Sequence, residues 1–353
     1  MSNGSEITPR QALDRLCQPS DCERDLSREE MEDLFGQLMD GGVSEAVKAA
    51  LLVALRLKGE TPAEISGAAR AMRRRVIPLV HNRPEAVDTC GTGGDGVGTF
   101  NISTAAALVA AAGGVPVAKH GNRSVSSRSG SADVLSALGV EMALPPAAAA
   151  RCLEEVGIAF LFAPLFHPAM AEVMGVRREL GLRTIFNVLG PLTNPAGARR
   201  QLLGVYSEDL VEPIARVLAD LGSDHALVVH GDGMDEITTS GETLAGEVRG
   251  GEVSLRRLTP EQLGVVPVER RDLAGGSPAE NAVVLRRVLG GERGPLSEVT
   301  AVNAGAALWV GGQAEDLRAG VEQARELLAS GTAVATLEAL KEFTAAHRQE
   351  KAE

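Results

Sequence analysis

The chain has 353 residues, is 44% hydrophobic and 23% charged, and sets Lys+Arg 35 against Asp+Glu 47 for a formal net charge of −12. That length exceeds what one hydrophobic core usually serves, so two lobes are expected. The acidic balance disfavours a nucleic-acid binder but allows a small phosphorylated ligand in a local cradle. No apolar run is long enough to span a bilayer, and the polar start Met1–Pro9 reads as no secretory leader. The cysteines Cys17, Cys22, Cys90 and Cys152 are scattered and form no CxxC pair, so reduced thiols and a cytoplasmic location are expected.

In chain order, residues 8–80 read as helices. Thr8-Pro9 opens the first, with Ala12, Leu13 and Leu16 at helical spacing. Ser27, with Glu30 three residues later, opens a second whose stripe is Met31, Leu34, Phe35 and Leu38. A third starts at Ser44 and runs through Val47, Leu51, Leu52 and Leu55, and Thr61-Pro62 starts a fourth. Cys17–Arg24 looks like a short insertion between the first two. No strand pattern interrupts this block, which predicts a small helical lobe.

The texture changes at about residue 85. Strands are predicted at Ala86–Cys90, Val115–Ala118, Ile158–Phe162, Gln201–Tyr206 and Ala226–His230, with helices at 102–112, 131–138 and 208–221. The alternation predicts an α/β fold with a central, mostly parallel sheet. Ligands of such sheets collect at the carboxyl ends of the strands. Segment 168–199 breaks the alternation: it reads as helical at Ala169–Leu180 and Leu182–Leu189, then ends in Pro191 and Pro195. It is read as a return to the helical lobe. Hairpin strands follow at 238–258 around Gly241, Gly246 and Gly250-Gly251, helices dominate from 277, and a charged tail begins at Arg348. The expected domains are 1–80 with 168–199, all helical, and 81–167 with 200–347, α/β, leaving 348–353 as tail.

Three constellations carry chemistry. Cys90 to Thr104 places five glycines in eight positions between a strand and a helix, so backbone N–H groups can converge on an anion. Asn101, Ser103 and Thr104 stand at the start of the following helix, able to cap it or to bind phosphate oxygens and metal. Read alone, this loop could equally be a tight turn; it is neither a Walker loop nor a clean dinucleotide fingerprint. Lys119, His120, Asn122 and Arg123 then enter one loop at a strand end, followed by serines and another helix start. Its bland reading, a solvated basic loop, is weakened by its place one βα unit after the first. Third, Asp235-Glu236 after the strand ending at His230 can hold Mg²⁺ while leaving room for water and phosphate. Alone that pair would read as an acidic turn; on the edge bearing two anion cradles, the metal reading prevails.

Together these motifs resemble the anthranilate phosphoribosyltransferase family. The matches are Gly91–Asp95 (GTGGD), Asn101–Thr104 (NxST), Lys119–Arg123 (KHGNR), Asp235-Glu236, Asn187–Pro195, and His167–Met170 followed by Arg177, in order over about residues 8–345. The resemblance implies the fold of class III phosphoribosyltransferases and nucleoside phosphorylases. It implies transfer of the phosphoribosyl group of phosphoribosyl pyrophosphate (PRPP) to the amine of anthranilate, in tryptophan biosynthesis, by a homodimer. Carried over residue by residue, PRPP meets Gly91, Gly94, Asp95, Thr99, Asn101, Ile102, Ser103, Thr104, Lys119, His120, Gly121, Asn122, Arg123, Ser124, Val125, Ser126, Ser127 and Ser131. Anthranilate meets Gly91, Asn122, His167, Arg177 and Pro191. Ser103, Asp235 and Glu236 serve two Mg²⁺, Lys119 stabilises the departing charge, and no general base is assigned. The rival readings are a pyrimidine nucleoside phosphorylase, which would not need the Asp235-Glu236 pair, and a nucleic-acid-binding protein of the same fold, which the charge of −12 disfavours.

Overall fold

Capping boxes start the helices where the sequence places them. The computed structural model describes residues 7–20, 22–124 and 128–348. Thr8, Ser27 and Thr61 each accept an N–H from the third helical residue, whose Gln11, Glu30 or Glu64 side chain returns the bond. They open α1 (Pro9–Leu16), α2 (Arg28–Asp40) and α4 (Pro62–Arg73), with α3 (Glu45–Lys58) between. The predicted stripes are buried: Leu34, Phe35, Leu38, Leu51 and Leu55 form one core with Ile65 and Ala69 of α4.

Beyond this block comes a seven-stranded sheet with its helices. In chain order they are β1 (Val87–Gly91), α5 (Ile102–Ala112), β2 (Val117–Gly121), α6 (Ser131–Ala137), α7 (Pro146–Glu155), β3 (Ile158–Phe162), α8 (Ala163–Phe166), α9 (Ala171–Leu180) and α10 (Phe186–Leu189). Then follow β4 (Arg200–Gly204), α11 (Val211–Asp220), β5 (His225–Gly231), β6 (Thr243–Arg249), β7 (Glu252–Leu258), α12 (Pro278–Leu289), α13 (Pro295–Gly311), α14 (Leu317–Ser330) and α15 (Thr332–His347). The spatial order is β3-β2-β1-β4-β5-β6-β7; the first five run parallel and the last two are antiparallel additions. The chain winds outward from β1 to β3, then returns to the other side of β1 with β4, so strand order reverses between β1 and β4. In open α/β sheets a ligand crevice forms at such a reversal. Among the described residues, no helix is long and apolar enough to cross a membrane.

Several boundaries differ from the sequence reading. The second strand runs Val117–Gly121, not 115–118: Pro116 has no N–H to give the ladder, and the chain instead pairs in register with Ile158–Phe162. Lys119 and His120 are therefore strand residues, buried, and not loop cations. The fourth strand ends at Gly204, two residues short of Tyr206. The helix expected at 182–189 shrinks to Phe186–Leu189. Gly181, at φ 58°, closes α9 in the left-handed conformation, and Asn187 Oδ1 accepts the Thr184 N–H at 3.0 Å to start the next turn. Residues 238–242 lie outside the hairpin, and α7 had no counterpart in the reading. Segment 168–199 packs α9 against α2 and α3.

Candidate active site at the sheet reversal

The strands β1 and β4 that flank the reversal both end in glycine, and the reason is steric. A Cβ on Gly204 would fall on the Asp235 carbonyl, and one on Gly91 would meet the Asp235 carboxylate. The loop after β5 thus lies directly on the ends of β4 and β1 and carries Asp235 and Glu236 to the crevice. It is shaped by a Gly231–Met234 bridge, with Asp232 at φ 50°, a left-handed conformation unusual for a non-glycine residue. It is clamped by Asn303 of α13, whose side-chain amide accepts the Ile237 N–H at 3.0 Å and donates to the Ile237 carbonyl at 2.8 Å.

Both carboxylates meet the glycine-rich loop and the start of α5. The Gly93 N–H donates to Asp235 Oδ2 at 2.7 Å, and the Ser103 N–H donates to Glu236 Oε1 at 3.1 Å. Burial and then repulsion from Asp95 push Asp235 up to about 7; burial and then repulsion from Asp235 push Glu236 up to about 8. Lys119, buried beneath, donates to the Thr89 carbonyl and lies 3.4 Å from Ser103 Oγ. Burial lowers its pKa, while Asp88, Cys90 and the acidic pair oppose that fall. Among the described residues, Asp95 Oδ2 and Thr104 Oγ1 are buried without a hydrogen-bond partner, an arrangement that invites a ligand atom or water. No cluster of three or more His, Cys, Asp or Glu among the described residues could cage a metal alone. Two crowded carboxylates that leave the remaining positions to water and ligand oxygens fit Mg²⁺.

A second group is uncharged. His120 Nδ1 lies 3.2 Å from the Gly190 carbonyl, and His120 Nε2 lies 3.1 Å from His167 Nε2. The carbonyl only accepts, so His120 carries its hydrogen on Nδ1 and takes one from His167 on Nε2. Burial, and for His120 also the neighbouring His167, depresses the rings to about 3 and about 4, so both are neutral at physiological pH. Pro191 is tied to the same floor: its carbonyl accepts from Gln201 Nε2 at 2.7 Å, and Asp88 accepts the His120 N–H at 3.1 Å.

The other expected residues divide. Asn101 is fixed by Asn281 Nδ2 at 2.8 Å and by Ser129. Thr99 bridges to Ala274, and the Ile102 side chain is in the core. Asn122 and Arg123 are exposed, with Arg123 3.4 Å from Asp133. Asp133 also accepts the Ser124 and Gly130 N–H groups, and the Ser131 hydroxyl meets the Asn122 carbonyl at 3.4 Å. Gly94 and Gly121 stand at the same edge; Val125, Ser126 and Ser127 lie outside the described residues. Arg177 is half-buried on α9, its guanidinium 5.2 Å from the centre of the Phe186 ring. No carboxylate among the described residues pairs with it, and burial lowers its pKa.

Sequence reasoning missed Asp88, Arg183, Gln201, Asn281 and Asn303. Asp88 and Asn303 had a signal: each is a polar residue inside an otherwise apolar strand or helix, where burial demands a partner.

Residues 83–334 match the model of the "Glycosyl transferase family, a/b domain", and residues 10–76 that of the "Glycosyl transferase family, helical bundle domain". An anthranilate phosphoribosyltransferase of Symbiobacterium thermophilum is 53% identical over 330 residues, covering 93% of this chain and 97% of the relative. The crystal structure of the Thermus thermophilus anthranilate phosphoribosyltransferase superposes with a TM-score of 0.89 at 49% identity, over 96% of this chain and 99% of that one. The Saccharomyces cerevisiae enzyme in complex with PRPP and Mg gives 0.85 at 28% identity, over 96% and 98% of the two chains. The same yeast enzyme in complex with 4-fluoroanthranilate gives 0.85 at 27% identity, over the same shares.

Proposed function

The chain belongs to the anthranilate phosphoribosyltransferase family, and on that premise we propose that it joins anthranilate to the ribose of PRPP, releasing pyrophosphate, as a step of tryptophan biosynthesis. One observation carries the reading: the Asp235–Glu236 loop is seated on the glycine ends of β1 and β4, against the start of α5. A phosphorylase that binds only phosphate and a nucleoside has no use for two adjacent half-buried carboxylates there.

In the reaction the amine nitrogen bonds to ribose C1, the bond from C1 to the pyrophosphate oxygen breaks, and the nitrogen loses a proton. The loop 91–98 and the start of α5 bind the donor through Gly91, Gly94, Asp95, Thr99, Asn101, Ser103 and Thr104, with backbone N–H groups as the main donors. Asn122–Ser127 and Ser131 flank it, and Lys119 stabilises charge as pyrophosphate departs. Asp235, Glu236 and Ser103 hold Mg²⁺, taken as two ions, which when bound neutralise the pyrophosphate oxygens. Gly91, Asn122, His167, Arg177 and Pro191 take the acceptor; the unpaired Arg177 guanidinium suits its carboxylate. The neutral His120–His167 pair adds no positive charge beside an amine that must attack a carbon turning cationic. Positioning and electrostatics supply the rate, with no side-chain nucleophile.

The same reading divides the chain into 1–80 with 168–199 and 81–167 with 200–347, supported by the packing of α9 on α2 and α3. Two copies pair through the helical lobe, in the cytoplasm. The test is product formation from anthranilate, PRPP and Mg²⁺, followed by the loss of anthranilate fluorescence. Absence of product, with phosphorolysis of a pyrimidine nucleoside in its place, overturns the reading.

A further inference from the structure

The glycine-rich loop is held from two sides, and only one of them belongs to the motifs. On the inner side the Gly93 N–H is bound by Asp235. On the outer side the Gly94 carbonyl accepts from Arg183 Nη2. Arg183 stands in the short non-helical turn between α9 and α10, and its guanidinium lies 4.5 Å from the centre of the Tyr206 ring, a cation–π contact. No carboxylate among the described residues competes for it. The turn is itself tied down, since Arg56 Nη1 of α3 donates to the Arg183 carbonyl at 2.8 Å. The Tyr206 N–H donates to Thr92 Oγ1 at 3.0 Å, so the stacking partner is fastened to the same loop.

We infer that Arg183 is a positioning residue for the donor: by gripping the Gly94 carbonyl it sets the direction of the Asp95 N–H and so the shape of the pyrophosphate cradle. The peptide between Gly94 and Asp95 is trans and planar, so its N–H points opposite to its carbonyl. A carbonyl pulled outward to Arg183 therefore turns the Asp95 N–H inward, away from the α9–α10 turn. Gly93 and Gly94 sit at φ 63° and 75°, and a glycine peptide rotates easily unless something outside holds it. The clamp also joins the two substrate sides: α9 bears Arg177, and the turn that ends it bears Arg183. The inference rests on the donor-binding role proposed for this loop.

The experiment uses the full chain with Mg²⁺ and PRPP. Donor affinity is measured by calorimetry without acceptor, alongside KM for both substrates and the thermal midpoint. Arg183→Met removes a charge-assisted hydrogen bond and should weaken PRPP about tenfold to a hundredfold, leaving the acceptor KM within about twofold. Arg183→Lys should recover part of the loss, Tyr206→Phe should bind as wild type, and Tyr206→Leu should fall between. If Arg183→Met does not fold, Arg183→Lys and Tyr206→Leu decide. Wild-type PRPP affinity in Arg183→Met and Tyr206→Leu, or equal losses for both substrates with a lowered midpoint, overturns the inference. A wild-type chain that neither binds PRPP nor forms product overturns the functional reading instead.

Discussion

Asp235 and Glu236 should make the metal-free protein less stable as pH rises. Each carboxyl is held above its ordinary range, from 3.8 to about 7 and from 4.5 to about 8, first by burial and then by acidic neighbours. The folded state therefore keeps protons that the unfolded chain has already lost. By linkage, stability falls as pH rises from the unfolded pKa near 4 to the folded values near 7 and 8, and stays low above them. A displacement of roughly three pH decades corresponds to about 4 kcal/mol for one carboxyl. We count one of the pair, because while one keeps its proton the repulsion on the other is relieved. Part of that range is already passed by pH 5, so between pH 5 and pH 8 the fall is about 3 kcal/mol, roughly 5–10 °C in midpoint for a chain of this size. Mg²⁺ should reverse it at pH 8 and do little at pH 5, where protons occupy the oxygens. The assay is thermal unfolding from pH 5 to 8, with EDTA or Mg²⁺, on wild type and on the Asp235→Asn/Glu236→Gln double variant. The quantity read is the difference between the two proteins, which cancels the contributions of other titrating groups. A pH slope shared by both proteins, or equal Mg²⁺ stabilisation at pH 5 and pH 8, would refute the reasoning.

Other consequences are as direct. Gly204→Ala places a methyl on the Asp235 carbonyl, so the acidic loop must lift; activity at low Mg²⁺ should fall at least about a hundredfold, and an unchanged Mg²⁺ dependence would show that the loop is not seated as described. Arg177→Ala should lower kcat/KM for anthranilate roughly tenfold to a hundredfold with PRPP affinity intact, whereas the exposed Arg178→Ala should matter little; equal effects would misplace the acceptor. Gly93→Ala forces a side chain into φ 63° and should cost about 1 kcal/mol of stability as well as donor affinity, read by calorimetry; retained PRPP binding would argue against the cradle. Nitrogen NMR should find His120 and His167 neutral down to about pH 5; protonation of either near pH 6 would contradict the shared-hydrogen arrangement.

What the sequence made legible follows the range of each interaction. The helix starts at Thr8, Ser27 and Thr61 are set by local capping boxes spanning three residues, and each start was readable to the residue. The motifs Gly91–Asp95, Asn101–Thr104 and Asp235-Glu236 were legible because each follows a strand, and the parallel sheet gathers strand ends. The extents of β2 and β4 were not, because strand length depends on the partner: Lys119 looked like a loop cation until its register with Phe160 put it inside the sheet. Arg183 was hidden for a related reason. Its partners Gly94, Tyr206 and Arg56 lie far away in sequence, and within the stretch read as a helix over Leu182–Leu189 nothing local marks that the helix starts only at Phe186.

The two halves of the proposed site meet opposite electrostatic problems. The side proposed for the donor is crowded with negative charge: Asp95, Asp235 and Glu236 repel one another, and the Gly93 and Ser103 N–H groups and Lys119 offset that repulsion only in part. The histidine side does the reverse. There each polar hydrogen is spoken for, from Gly190 through His120 to His167, and burial keeps the rings neutral. An aromatic amine is a weak base and a weak nucleophile, and imidazolium rings beside it would oppose the positive charge growing at nitrogen and C1. Lys119 and His120 are consecutive on β2, so their side chains point to opposite faces of the sheet. One strand thus supplies the buried Lys119 beneath the glycine-rich loop and the neutral ring of the histidine pair, and alternation along the strand keeps the amine off the side proposed for the acceptor.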